Sequence, residues 1–283
     1  MSIGKNISGF FEKSASSLKS LAKMAIQSRR CDIKPVAAPG ESLIVMGNGP
    51  SLADTMRDNA EALASHPLLA VNFAINAPEF LELRPEFYIL ADPVFFNDLT
   101  NANVRRLWDN FSSAVTWPLT LFVPAKVRIP VKTGANVTVR RFNPVGVEGF
   151  VWLENIAFRT GAGMPRPRNV LIPAIMTGIA LGFKTIYIVG ADHSWSKTLE
   201  VSDENVVISV QPHFYKDNEA EHTRVASVYK NIRLHEIMYS FYVAFRSYFT
   251  IRRYADSRGV TIYNSTPSSF IDAFPRRPLK GAS

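Results

Sequence analysis

Cysteine is nearly missing from this chain: Cys31 is the one thiol in 283 residues. A lone thiol excludes an internal disulfide framework and any cysteine-built zinc or iron–sulfur site. Long apolar runs are missing as well. No stretch comes near the roughly 18 consecutive apolar residues of a membrane-spanning helix. The phosphate-loop patterns GxGxxG and GxxxxGK[ST] do not occur, which excludes the dinucleotide fingerprint and the Walker A loop. HxxxH, HExxH, an acidic triplet at metal spacing and GxSxG are also absent, so no metal is expected and no serine-hydrolase signature is present. Acidic residues are in deficit, 24 against 32 Lys and Arg, for a formal charge of +8.

The rest of the composition is that of a folded protein. Hydrophobic residues make up 47% and charged residues 20%, which excludes a disordered chain. The position of the charge decides its meaning. Residues 1–34 hold seven basic and two acidic residues, 272–283 three and one, and 35–271 twenty-two and twenty-one. The body is close to neutral, whereas a nucleic-acid-binding domain carries its basic excess on the fold, so no nucleic-acid partner is expected. In the first segment Ile7, Phe11, Ser14, Leu18, Leu21 and Ala25 recur at helical spacing, Phe10 and Met24 widen the stripe, and lysines fill much of the remainder. This is a basic amphipathic helix, of the kind that lies in an anionic membrane interface or docks on its own domain. Lys and Ser interrupt its apolar face, unlike a secretory signal. Ser2 follows Met1, where N-myristoylation needs glycine.

Pro35, Pro39 and Gly40 separate this helix (1–34) from a domain over about 41–275, followed by a basic tail, 276–283. Short apolar strands are expected at Ser42–Met46, Leu68–Asn72, Phe87–Ala91, Leu119–Val123, Val137–Phe142 (an edge strand), Thr185–Val189 and Val260–Tyr263. Helices are expected from Ser51, as N-cap with Asp54 as capping-box partner, to about Ser65, and over Val170–Leu181 and Glu219–Arg258. Strands alternating with helices predict an α/β fold: a single Rossmann-like domain with a mainly parallel sheet flanked by helices.

Ligands bind such sheets beyond the carboxyl ends of the strands. Gly47, Asn48, Gly49, Pro50 and Ser51 form a glycine turn between strand and helix, where free backbone N–H groups favour an anion, unless it is a plain tight turn. Asn72, Asp92 and Asp192 each follow an apolar strand. Asn72 offers a donor and an acceptor to a base edge or sugar hydroxyl. Asp92, before Pro93, is either a ligand contact or a turn-former. His193 and Trp195 follow Asp192 and suit a sugar or base platform, Trp195 being equally suited to the core. His66, at a helix end, reads as structural, and His235, inside the long helical pattern, as packing or surface. His193, His213 and His222 remain as acid–base candidates. The aromatic-rich stretch 219–258 reads as core, as an oligomer contact (hence a homo-oligomer), or as a surface for a lipid-linked acceptor.

Taken in order, GNGPSL at 47–52, VNFA at 71–74, Asp92-Pro93 and ALGFKTIYIVGAD at 180–192 resemble the bacterial sialyltransferases of glycosyltransferase family 42. They resemble equally the motility accessory factors that modify flagellin, whose catalytic domain also covers archaeal hydroxymethylpterin pyrophosphokinases. The resemblance spans about 41–275. It implies a variant of the GT-A fold that transfers a sugar with inversion from a CMP-activated donor to a cell-surface glycan or glycolipid, with no resident cofactor and no essential metal. It implies that Asn48, Gly49, Pro50 and Ser51 line the CMP phosphate and ribose, that Asn72 reads the cytidine side, and that Asn169 stands where the family has a donor-contacting Thr. His213 then corresponds to the catalytic base, with His222 second, and Tyr215 holds the leaving phosphate. The GADHSW block departs from the sialyltransferase pattern, so another nonulosonate or a Kdo-type sugar fits as well. The pterin relatives imply the alternative, a pyrophosphokinase using ATP and magnesium, with Asp92 and Asp192 as ligands. The setting implied is cytoplasmic, peripheral on the inner membrane.

Overall fold

The computed structural model describes residues 3–38, 40–209 and 232–279. Five strands come first in the chain: β1 (Ser42–Met46), β2 (Leu68–Val71), β3 (Phe87–Ile89), β4 (Leu119–Pro124) and β5 (Val137–Phe142). After β6 (Thr185–Val189), a small antiparallel pair, β7 (Leu199–Val201) and β8 (Val207–Ser209), precedes β9 (Thr261–Asn264). The main sheet runs β5-β4-β3-β2-β1-β6-β9 and is parallel throughout. The chain starts in the middle, builds outward to β5, then crosses back to lay β6 on the other side of β1. The switch point of the sheet is therefore the β1–β6 pair.

Alternation along each strand divides the core in two. Leu43, Val45, Leu69, Val71, Ile186 and Ile188 face α7 (Val151–Arg159), α8 (Leu171–Ala180) and α9 (Leu234–Ser257). Ile44, Met46, Leu68, Ala70, Tyr88 and Leu121 face α2 (Ser51–Asp58), α3 (Ala60–Ala64), α4 (Glu79–Leu83), α5 (Val94–Asn97) and α6 (Ala102–Ser113). Central strands covered on both faces read as continuous apolar runs. Each buried Val, Leu, Ile or Phe contributes about 1.5–3 kcal/mol, and a one-residue slip would exchange the two faces.

Several elements differ from expectation. The helix after β1 breaks at Asn59, and Ser51 does not cap it. Pro50 holds the N-cap position with no side-chain cap, while the Ser51 hydroxyl is turned to Asp192. Asp54 pairs with exposed Arg57 instead of closing a capping box. Strand β2 ends one residue early because Asn72 turns to φ +51 and opens a 3-10 turn, Asn72–Asn76. Arg276 and Arg277, counted with a basic tail in the sequence, are tied into the body. Arg276 donates to the Thr266 and Ser269 carbonyls, and Arg277 lies 4.8 Å over the Tyr263 ring.

The first helix, α1 (Ile3–Gln27), and the segment after it are also attached. Val36 N–H donates to Leu181 O (2.8 Å) and Arg141 N–H to Asp32 Oδ1 (2.9 Å). Buried Asn143 is the main tie: Oδ1 accepts from Arg29 N–H (2.9 Å), and Nδ2 donates to Arg29 O (2.7 Å) and Gly161 O (2.8 Å). No helix among the described residues is long and apolar enough to cross a membrane. Asn143→Ala removes the partner of three backbone groups, Arg29 N–H, Arg29 O and Gly161 O. It is expected to cost about 2–4 kcal/mol and to lower the melting temperature by roughly 5–10 °C in a thermal melt; an unchanged melt would show that Asn143 does not hold this segment.

Candidate functional site

The turn after β1 and the segment after β6 are laced together at the switch point. Gly47 N–H donates to Val189 O and Gly49 N–H to Gly190 O, both at 2.8 Å. A side chain at Gly47 would overlap the Gly190 carbonyl, and one at Gly49 would overlap the Asp192 carboxylate. Gly190 itself sits at φ +62, with its α-carbon against the Gly47 carbonyl, a conformation open to glycine at little cost. This close approach lets Asp192 Oδ2 accept from Ser51 Oγ (2.8 Å). A loop after β9 holds the far side: Ala191 N–H donates to Thr266 Oγ1 (3.0 Å), Ser269 Oγ to Ala191 O (2.6 Å), and Phe270 N–H to Asp192 O (2.9 Å).

Next to Asp192, His193 adopts φ +50 and is buried. Its Nε2 lies 2.6 Å from the Tyr248 hydroxyl of α9, and that hydroxyl is 3.0 Å from Asn169 Oδ1. The chemistry of this chain fixes its protons. Asn169 Oδ1 also receives Leu171 N–H (3.0 Å) at the start of α8, so the atom there is an oxygen, and Tyr248 donates to it. The Tyr248 oxygen then accepts from His193 Nε2–H. His193 is neutral: burial pushes its pKa down to about 3, and burial pushes the Tyr248 phenol up. Trp195 stacks on the imidazole at 4.1 Å.

Three amide atoms near these strand ends are buried with no protein partner: Asn48 Oδ1, Asn72 Oδ1 and Asn169 Nδ2. Neighbours fix the directions of Asn48 and Asn169 and the backbone of Asn72. Asn48 Nδ2 donates to Val71 O (3.1 Å) beside Asn72, so its oxygen faces away. Tyr88, which donates to Asn72 O and accepts from Ile75 N–H (2.9 Å), holds the Asn72 backbone. Asn169 Oδ1 is taken twice, so Nδ2 is a donor without an acceptor. A buried polar atom left unpaired costs about 1–3 kcal/mol, a cost that a bound ligand removes. At the cleft of the switch point, the loops after β1, β2 and β6 thus offer acceptors (Asn48, Asn72, Asp192). The N-terminal end of α8 offers a donor, Asn169 Nδ2, and exposed Arg168 precedes it in the chain. The first suits hydroxyls and amines, the second an anion.

The Asp192 carboxylate faces Ser51 at the start of α2, so the glycine turn carries an acidic group where the sequence suggested an anion. Asp92 is not brought to this cluster. It is exposed, and its carboxylate accepts Val94 N–H (2.9 Å), the turn-forming role. Three strand spacings of about 4.8 Å separate the end of β3 from that of β6, roughly 14 Å in all, too far for one magnesium ion to join Asp92 to Asp192. No group of three His, Cys, Asp or Glu side chains that could hold a metal occurs among the described residues. His66, read as structural, bonds Ala62 O through Nδ1 (2.8 Å). His213, Tyr215 and His222 lie outside the described residues. A cavity of about 490 Å³ is lined by Arg168, His235, Glu236, Tyr239 and Phe241. Phe241 stacks 5.4 Å from Trp195.

No protein-family model matches the chain, and no curated protein matches it. Its fold is similar to a solved structure described as a MAf glycosyltransferase from Magnetospirillum magneticum AMB-1, with a TM-score of 0.50 and 12% identity. The match covers 96% of this chain and 39% of that one. At this identity the likeness is one of fold.

Sequence reasoning missed Tyr248, one aromatic among many in α9, and the NSTPSS loop after β9, whose place at a strand's carboxyl end was the available signal. The neutral His193 has a measurable consequence. Between pH about 6.5 and about 3 the unfolded chain binds a proton that the folded chain refuses, so this contribution to stability is full above about 6.5 and lost as pH falls. Stability of the wild type relative to His193→Gln should fall by about 1.4 kcal/mol per pH unit below pH 6, read by urea unfolding. Parallel pH profiles would show that His193 titrates normally.

Proposed function

We propose that this chain is a glycosyltransferase that moves a sialic-acid-like sugar, a nonulosonate or Kdo-type ulosonate, from a CMP-activated donor to a hydroxyl of a cell-surface glycan or glycolipid. The observation that carries the reading is the divided cleft at the β1–β6 switch point. Acceptor atoms of Asn48, Asn72 and Asp192 suit the cytosine amine and ribose hydroxyls. The Asn169 Nδ2 donor, the start of α8 and Arg168 suit the phosphate and the sugar carboxylate. The fold likeness to a MAf glycosyltransferase supports the same reading, as do the GNGPSL and GAD motifs.

In this reading the acceptor hydroxyl attacks the anomeric carbon from the face opposite the phosphate. His213 takes the hydroxyl proton, the glycosidic bond forms as the anomeric carbon–phosphate oxygen bond breaks, and configuration inverts. CMP departs with the bonding pair, its charge met by Asn169 and Tyr215. The reaction requires no electron transfer, no resident cofactor and no metal. The alternative, a magnesium-dependent pterin pyrophosphokinase, is disfavoured by the separation of Asp92 from Asp192.

Calorimetric titration with CMP, CMP-sialic acid and ATP, each with and without EDTA, separates the two. CMP binding indifferent to EDTA is expected; magnesium-dependent ATP turnover without CMP affinity would sink the transferase. Asn169→Leu should weaken CMP binding about tenfold or more by removing one donor to a charged group. His213→Ala should slow transfer by about 10²–10⁴-fold while leaving CMP affinity in place; undiminished transfer would move the base to His222.

A further inference from the structure

Helix α1 attaches to the body by the wrong side for an ordinary amphipathic helix. Its buried residues are serines, Ser17 and Ser20. Ser17 Oγ accepts from Phe150 N–H (3.0 Å), and Ser20 Oγ both donates to Glu148 O (2.8 Å) and accepts from Glu148 N–H (3.0 Å). Gly149, at φ +137, leaves room for Ser17. Met24 packs against the core, but the other large apolar side chains of the stripe point outward: Phe11 is 67% and Leu18 69% exposed, and Ile7 and Leu21 are exposed with them. Phe10 carries this stripe onto the body, its ring 5.6 Å from that of Phe150. Directly after Phe150, α7 begins with Val151 and Trp152, both exposed, and Ile156 follows one turn later, also exposed. An apolar surface of this extent marks a contact with something else.

Its charge identifies the partner. Residues 1–34 hold seven basic residues against Glu12 and Asp32. Asp32 is already engaged by Arg140. Exposed Lys13 and Lys19 stand about 120° to either side of the stripe's centre at 3.6 residues per turn. On the adjoining body, Glu148 is paired with Arg166 and Arg246, and Glu154 with Arg253. The surface is therefore apolar along its middle and cationic at its margins. We propose that α1 and the start of α7 form a bilayer-binding face: α1 lies in the interface of an anionic membrane, with Ile7, Phe11, Leu18 and Trp152 among the acyl chains and Lys13 and Lys19 at the lipid phosphates. The inserted depth is that of an interfacial helix, about 5–10 Å. This inference is independent of the chemistry assigned to the cleft.

The test is flotation of the full chain with phosphatidylcholine vesicles, with and without phosphatidylglycerol. Binding should be about tenfold or more tighter on the anionic vesicles, and should weaken as salt shortens the screening length from about 10 Å at 0.1 M to about 3 Å at 1 M. Phe11→Asp/Leu18→Asp should abolish binding with an unchanged melting temperature, since both side chains are exposed. Brominated lipid should quench the tryptophan emission of the wild type and not of Trp152→Phe. Equal affinity for both vesicle types, or binding that survives the double aspartate variant, would overturn the proposal. So would a wild-type dimer that the double variant converts to monomer in light scattering, which would make this face a contact between two copies of the chain.

Discussion

Backbone contact between the turn after β1 and the segment after β6 is the constraint on which the rest of this structure depends. The two loops pass so closely that no side chain fits at Gly47 or Gly49. From that contact the remainder follows in order. Asp192 reaches Ser51, His193 is set at its left-handed angle, and its ring meets Tyr248, which in turn holds Asn169. The loop after β9 braces the same segment from the other side through Thr266 and Ser269. Residues from five separate stretches of chain thus share one hydrogen-bonded unit, and the orientation of the Asn169 amide is set by Tyr248 and the Leu171 N–H.

The unit also sorts polarity. Carboxylate and amide oxygens collect in the loops after β1, β2 and β6, and a donor stands at the start of α8. A ligand that is neutral and rich in hydroxyls at one end and anionic at the other has one favourable orientation in such a cleft. Burial adds to this, because it keeps His193 neutral near neutral pH and so keeps the direction of the hydrogen bonds from Nε2 to Asn169 the same there.

Much of the fold could be read from the residues, for a simple reason. Central parallel strands are covered on both faces, so they appear as short apolar runs such as LIVM and TIYIV, and the polar residue that ends each run marks the ligand edge. What could not be read involves partners remote in sequence. A serine after a glycine turn obeys a local capping rule until an aspartate 141 residues away competes for its hydroxyl. Tyr248 is indistinguishable by composition from Tyr239 and Tyr242, yet the first is fully buried and the others are exposed. In α1 the periodicity was legible and the docked side was not, because serine hydrogen bonds to the Glu148–Phe150 backbone attach it instead of apolar burial.

The order of strands carries a consequence for how the molecule comes to exist. Strand β1 is made early and lies at the centre of the sheet, yet its partner on one side, β6, arrives only after β2 to β5 and the helices between them. Until then β1 presents a bare apolar edge, and long-range parallel pairing of this kind is slow to close. The loop bracing Asp192 from beyond β9 arrives later still. During synthesis the half-sheet from β1 to β5 can assemble first, with the segment after β6 braced only by the last-made part of the described chain.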